Sequence, residues 1–240
     1  MGDSSAASAD FEARLEREKL AALMELAYGA GHEINNPLAN IAARAQTLLQ
    51  DEPDPERRRK LVAIHRQAMR AHEMIADLML FARPPKLELA MVDLRQIVRE
   101  VVDQHQELAA ERSIAVTCDV GEDAIQVDVD ATQVAVAIAA VVTNAIEAVG
   151  RDGHVEVVAR EWAEGGARSA EVIVRDDGPG ISEKVRRHLF DPFFSGREAG
   201  RGLGFGLSKC WRIVTDHGGQ IVVNNVESGG AEITILLPQR

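Results

Sequence analysis

The sequence predicts an α-helical hairpin, paired with a second copy into a four-helix bundle, followed by an α/β two-layer sandwich. Two observations carry the first half. From Leu20 to Leu48 apolar or small residues recur at alternating spacings of four and three without a break, and a second such run spans Leu61 to Ala82. A third observation carries the second half: beyond Pro84-Pro85 the pattern changes to short apolar runs of strand length set between helical stretches. The expected domains are therefore 1–85 and 86–240.

The first seam reads Leu20, Met24, Ala27, Gly31, Ile34, Leu38, Ile41, Ala45 and Leu48, and the second Leu61, Ile64, Ala68, Ala71, Ile75, Leu78 and Ala82. Between them Asp51-Glu52-Pro53-Asp54-Pro55 breaks the helix and turns the chain. A lone hairpin leaves its stripes half covered, so pairing two hairpins is the natural solution. The alternative is packing of the hairpin on its own C-terminal domain. Arg83-Pro84-Pro85-Lys86 ends the second helix, because both prolines lack a donor and the first restricts its predecessor. A helix is expected from Asp93 to about Ala110, then strands at Ile114–Cys118 and Ile125–Val129. A strongly apolar helix should run from Asp130, an N-cap residue, to Val149. Strands then fit Val155–Arg160, Ala170–Arg175, Gln220–Asn225 and Ala231–Leu237, with a helix at Leu207–His217.

The 240 residues include 27 basic and 38 acidic side chains, a net charge of -11. Such a balance argues against sequence-independent binding to nucleic acid, which needs clustered Lys and Arg. The run Arg57-Arg58-Arg59-Lys60 is offset by Asp51, Glu52, Asp54 and Glu56 and reads as a solvated helix start. Cys118 and Cys210, far apart and outside any CxxC spacing, suit a reducing compartment and argue against a disulfide framework or zinc site. No stretch reads as apolar enough to cross a membrane, and the first residues lack a signal-peptide core, so a cytoplasmic location without membrane insertion is expected.

Five segments carry chemistry. The first is Gly31-His32-Glu33-Ile34-Asn35-Asn36-Pro37-Leu38. His32 follows the seam position Gly31 and so points away from the bundle. Imidazole titrates near enough to neutrality to leave a nucleophilic lone pair. Glu33 can accept the proton on the other ring nitrogen, and Asn36 lies on the same helical face one turn on. The second is Asn144-Ala145-Ile146-Glu147-Ala148, on the most apolar helix. In the third, Asp176-Asp177-Gly178-Pro179-Gly180, a carboxylate can accept from an exocyclic amine while Gly178 and Gly180 admit a base against backbone; a bare DxGxG is more often a turn. Phe190-Asp191-Pro192-Phe193-Phe194 fits either core packing or the hinge of a lid. Finally, Gly202-Leu203-Gly204-Phe205-Gly206-Leu207 opens a helix whose first amides suit phosphate. Between the last two, Ser195-Gly196-Arg197-Glu198-Ala199-Gly200-Arg201 is small and polar. It suits a mobile lid from which Arg197 or Arg201 reaches phosphates, or a plain solvated loop.

In this order, from about Leu20 to Leu237, the set resembles the catalytic core of the sensor histidine kinases of two-component signalling. The resemblance implies a homodimer that uses ATP to phosphorylate His32 and passes the phosphoryl group to an aspartate on a response-regulator receiver domain. It implies that the acidic Glu33 tunes the histidine, and that Asn36 positions phosphoryl oxygens or water, including during dephosphorylation of the partner. It also implies that Asn144 binds Mg2+, that Asp176, Gly178 and Gly180 hold adenine, and that Gly202, Gly204 and Gly206 lie at the phosphates. Family members often have a second asparagine four residues before Asn144, where this chain has Ala140, which puts one secondary phosphate or metal contact in doubt. The related gyrase, mismatch-repair and chaperone ATPases have a water-activating glutamate at that position. Ala140 therefore counts against that alternative, and the intact Asn144 and Asp176 count against an inactive phosphotransfer scaffold. Sensor kinases usually carry an input domain; none is legible here, so a soluble member or a core separated from its input domain is expected.

Overall fold

A computed structural model divides the chain into two compact units, Met1–Pro85 and Lys86–Arg240. It describes residues 3–164, 167–191, 194 and 204–239. The expected phosphate-reaching Arg197 and Arg201, together with Gly202 and Phe193, lie outside the described residues.

The first unit is the expected hairpin, α1 (Asp3–Gln50) and α2 (Pro55–Ala82). Pro37 does not interrupt α1. The turn is closed by the residues that break the seam: Asp54 Oδ1 accepts from the Glu56 and Arg57 amides at 2.8 and 2.9 Å, and Pro55 starts α2 where no donor is needed. Arg58 reaches back to the Leu49 carbonyl at 2.9 Å. Small residues let the helices approach. A Cβ on Gly31 would lie 2.5 Å from Met79 Cγ, and Ala42 and Ala45 are 3 and 4% exposed. The other half of the first seam stays bare, with Ile34, Ile41 and Leu48 45, 46 and 60% exposed.

The second unit has a five-stranded sheet in the order β2-β4-β5-β7-β6: β2 (Ile114–Asp119), β4 (Gly153–Glu164), β5 (Ala167–Asp176), β6 (Gln220–Asn225) and β7 (Ala231–Pro238). β2 runs parallel to β4 and the other pairs are antiparallel. Helices α3 (Leu94–Ala110), α4 (Ala131–Val149) and α6 (Gly206–Asp216) pack against it. By composition α4 is long and apolar enough to cross a membrane, which corrects the expectation that no stretch is. Its buried stripe of Val134, Ala137, Ile138, Val141, Val142, Ala145 and Ile146 makes it the central core helix. Asp130 caps it, accepting from the Gln133 amide at 3.1 Å. The Asp130 amide in turn donates to His217 Nε2 at 3.0 Å, while His217 Nδ1 donates to the Ile213 carbonyl, so the start of α4 is tied to the end of α6.

The other face of the sheet is open to water and is covered by its own charges. Glu156, Arg175 and Glu232 stand in register across three strands, Arg175 bridging both carboxylates at 2.9 and 2.6 Å. The next row is Val158, Ile173, Thr234 and Val222, in which Ile173, on the central strand, is buried while Val222, on the edge strand, is 40% exposed.

Three elements depart from the sequence reading. The strand expected at Ile125–Val129 is β3 (Gln126–Val129), and it leaves the main sheet to pair antiparallel with β1 (Ala90–Asp93), a strand the sequence did not announce. Asp93 organises this ribbon, capping α3 through the Arg95 amide and accepting from the Ile125 amide. A one-turn helix, α5 (Glu183–Arg186), follows the DxGxG segment.

Candidate functional site

His32 is exposed on α1, as its place next to the buried Gly31 requires. Glu33 and Asn36 are exposed beside it on the same helix. Tyr28, one turn before His32, packs edge-on against the imidazole with ring centroids 4.9 Å apart. The guanidinium of Arg83, the residue that caps α2, lies 5.3 Å from the centroid of the Tyr28 ring. No sequence motif marks Tyr28 or Arg83. Their involvement follows from helical spacing and from the antiparallel return of α2.

In the second unit Asp176 ends β5 and is buried. Its Oδ1 accepts from the Gly178 amide at 2.9 Å and from the Ala231 amide at 3.3 Å. Burial pushes this carboxyl above the ordinary aspartate range; the two amides pull against that shift and the neighbouring Asp177 adds to it. Both hydrogen bonds end on Oδ1, so Oδ2 is the oxygen left for a ligand donor. The adjoining space admits no side chain, because a Cβ on Gly178 would lie 2.8 Å from Asp176 Oδ1 and 3.1 Å from the Ala148 carbonyl carbon. Asn144 and Glu147 are half-buried on α4, which is also the helix that carries Ala148.

Gly204 lies just before α6 and Gly206 is its first residue. Phe205 at the cap has no side-chain oxygen to offer the first amides, so this 11-residue helix begins without the usual side-chain cap. Phe190 and Phe194 are half-buried, and the Phe194 ring stands 5.3 Å from that of His188. Among the described residues no group of three His, Cys, Asp or Glu side chains could hold a metal ion by itself.

Residues 22–86 match the family model of the His Kinase A (phospho-acceptor) domain. Residues 129–240 match that of the histidine kinase-, DNA gyrase B-, and HSP90-like ATPases. The chain carries a histidine kinase catalytic core. The phosphoacceptor-domain match separates it from the gyrase and chaperone branch, with which it shares only the second unit. Among curated histidine kinases, the sensor histidine kinase ZraS of Klebsiella oxytoca is 32% identical over 228 residues, covering 95% of this chain and 48% of that protein. The signal transduction histidine-protein kinase AtoS of Escherichia coli (strain K12) is 28% identical over 93% of this chain and 36% of its own length. The chain thus spans about half the length, or less, of these relatives. Among solved structures, histidine kinase ThkA in complex with response regulator protein TrrA matches with a TM-score of 0.67 and 26% identity, over 95% of this chain and 65% of that one. Full-length ShkA in complex with AMPPNP shares the fold, with a TM-score of 0.76 and 24% identity over 89% of this chain and 45% of that one.

Proposed function

We propose that the chain is an ATP-dependent protein-histidine kinase that phosphorylates itself on His32 and passes the phosphoryl group to an aspartate of a response-regulator receiver domain. One observation carries this reading: an exposed histidine, with a carboxylate next to it in sequence and an amide one helical turn on, shares a chain with a buried aspartate set against a glycine-lined space. His32 is the nucleophile. Glu33 draws on the far ring nitrogen and orients the lone pair. Asn36, one turn away, positions phosphoryl oxygens or water and acts mainly when a phosphorylated partner is hydrolysed. The ThkA relative was solved with a response regulator, which supports that partner class.

ATP fits the second unit. Asp176 Oδ2 accepts from the adenine amine, Gly178 and Gly180 leave room for the base, and Gly202, Gly204 and Gly206 bring the α6 amides to the phosphates, with Arg197 or Arg201 at the terminal ones. A divalent ion fits as well, because a single amide, Asn144, is the donor set expected where nucleotide phosphates supply the other oxygens. Mg2+ there neutralises phosphate charge; the protein's part is to hold and orient the triphosphate. Two free cysteines, one exposed and one buried, suit work in the reducing cytoplasm.

Incubated with γ-labelled ATP, the protein should acquire a label that acid removes and base does not, and that a receiver domain then takes up. A label stable in acid overturns the histidine assignment.

We also propose a homodimer through the bare seam. Covering what remains exposed of Ile34, Ile41 and Leu48 is worth about 1 kcal/mol for each side chain, and the described residues of the hairpin leave these three 45, 46 and 60% exposed. Ile34→Asp puts a charge into that contact at a cost of several kcal/mol. By light scattering the variant should be monomeric at micromolar concentration while still binding ATP. A wild type that is monomeric under those conditions overturns the bundle.

A further inference from the structure

We propose that Asn225 and Arg186 are the positioning residues that fix the adenine-binding segment, and that Asn225 thereby sets nucleotide affinity; this rests on the ATP reading above. β6 is the edge strand of the sheet, so one side of it has no strand partner. The segment that follows the DxGxG turn is laid along that side. Asn225, the last residue of β6, turns both ends of its amide to one residue of this segment: Oδ1 accepts from the Ile181 amide at 2.8 Å and Nδ2 donates to the Ile181 carbonyl at 2.9 Å. A side chain thus makes the pair of bonds that a neighbouring strand would make. Two residues earlier on β6, the Val223 carbonyl accepts from Arg186 Nη1 at 3.1 Å, which pins α5.

The turn after β6 presses on the same segment. Gly230 has a φ of +90°, and a Cβ there would lie 1.8 Å from the Asp176 carbonyl oxygen, so only glycine permits the approach. The next residue, Ala231, gives its amide to Asp176 Oδ1. Asp176, Gly180 and Ile181 are therefore held from one side by residues 225–231. Between Asp176 and α5 the segment has no ladder of its own: Asp177 is tied to the His154 backbone and the Gly178 amide to Asp176 Oδ1, and it is the grip of residues 225–231 that holds the Gly180–Ile181 end against them. Losing it leaves the chemistry intact and makes the base pay the ordering cost on binding.

The test is a KM-against-kcat comparison on the full chain, with ADP titration and thermal melting alongside. Asn225→Ala should raise KM for ATP and Kd for ADP about five- to tenfold, with kcat at saturating ATP within twofold of wild type and melting little changed. Asn225→Asp keeps the acceptor for the Ile181 amide but turns a second oxygen toward the Ile181 carbonyl, so it should not restore affinity. Arg186→Ala, remote from the base, should raise KM less than Asn225→Ala. The proposal is overturned if Asn225→Ala binds ADP within twofold of wild type, or if the rise in KM comes with matching losses of kcat and melting temperature, as in a general loss of structure. A wild type that does not bind ADP, or an Asp176→Asn variant that binds it normally, overturns instead the ATP reading on which the clamp rests, and the clamp with it.

Discussion

The His32→Gln variant, incubated with γ-labelled ATP, is expected to take up no acid-labile label, below about 1% of wild type, while it melts and binds nucleotide as before. Glutamine keeps polarity and helix propensity at an exposed position, so the loss falls on chemistry alone. The structure sharpens the prediction by accounting for the other six histidines. His65 donates to the Ala42 carbonyl, His105 bonds to the Val101 carbonyl and Thr143, His154 bonds to Thr117, and His188 bonds to Asp191. His217 is buried between α4 and α6, and His72 is half-buried on α2. His32 alone combines an exposed ring with a neighbouring carboxylate and no ring hydrogen bond among the described residues. Acid-labile label persisting in the variant overturns the assignment.

Asp176→Asn is expected to weaken binding of a fluorescent ATP analogue about 100-fold, equally with and without Mg2+. The asparagine oxygen can keep both amide bonds now made by Oδ1, but an NH2 group then stands where Oδ2 faced the adenine amine, donor against donor. Stability should move the other way. Burial raises this carboxyl's pKa above 3.8, so its favourable contribution is fully present below that value and is lost as pH rises through the folded pKa. At neutral pH the wild type therefore carries a buried charge that the amide does not, and the variant should melt no lower. The difference in melting should shrink as pH falls through the raised folded-state pKa and the wild-type carboxyl takes up its proton. Asn144→Ala should separate from it, with its defect confined to Mg2+-dependent binding. If both variants bind Mg-ATP like wild type, the nucleotide site lies elsewhere.

The elements that the sequence announced are those whose signal is long or repeated. Two seams of alternating four and three spacing define α1 and α2, and the apolar period of α4 with Asp130 before it defines the central helix. β1 is four residues long and lacks an inside–outside alternation, so nothing local tells it from loop; β3 alternates and reads as a strand, but its pairing with β1 instead of the main sheet has no local signal. β4 and β5 run past their apolar stretches because their far ends, Trp162 opposite Ser169 and Ala163 opposite Arg168, are held by pairing rather than by burial. At the site, His32, Asn144, Asp176 and the glycines announce themselves by spacing within a few residues. Asn225 does not: its partner is 44 residues away, and only the strand order brings them together. Tyr28 lacked a signal because an aromatic on a helix face has a dozen ordinary uses.

On the proposed dimer, the uncovered Ile34–Ile41–Leu48 stripe makes the amount of protein a variable of its state. Part of the hairpin's core then arrives from another molecule, so its free energy of assembly contains the logarithm of protomer concentration, and each tenfold dilution removes about 1.4 kcal/mol. The second unit closes its core within one chain and has no such dependence. A cell that makes little of this protein would therefore hold a mixture in which nucleotide-binding units outnumber assembled phosphoacceptor bundles, and signalling output would fall more steeply than copy number.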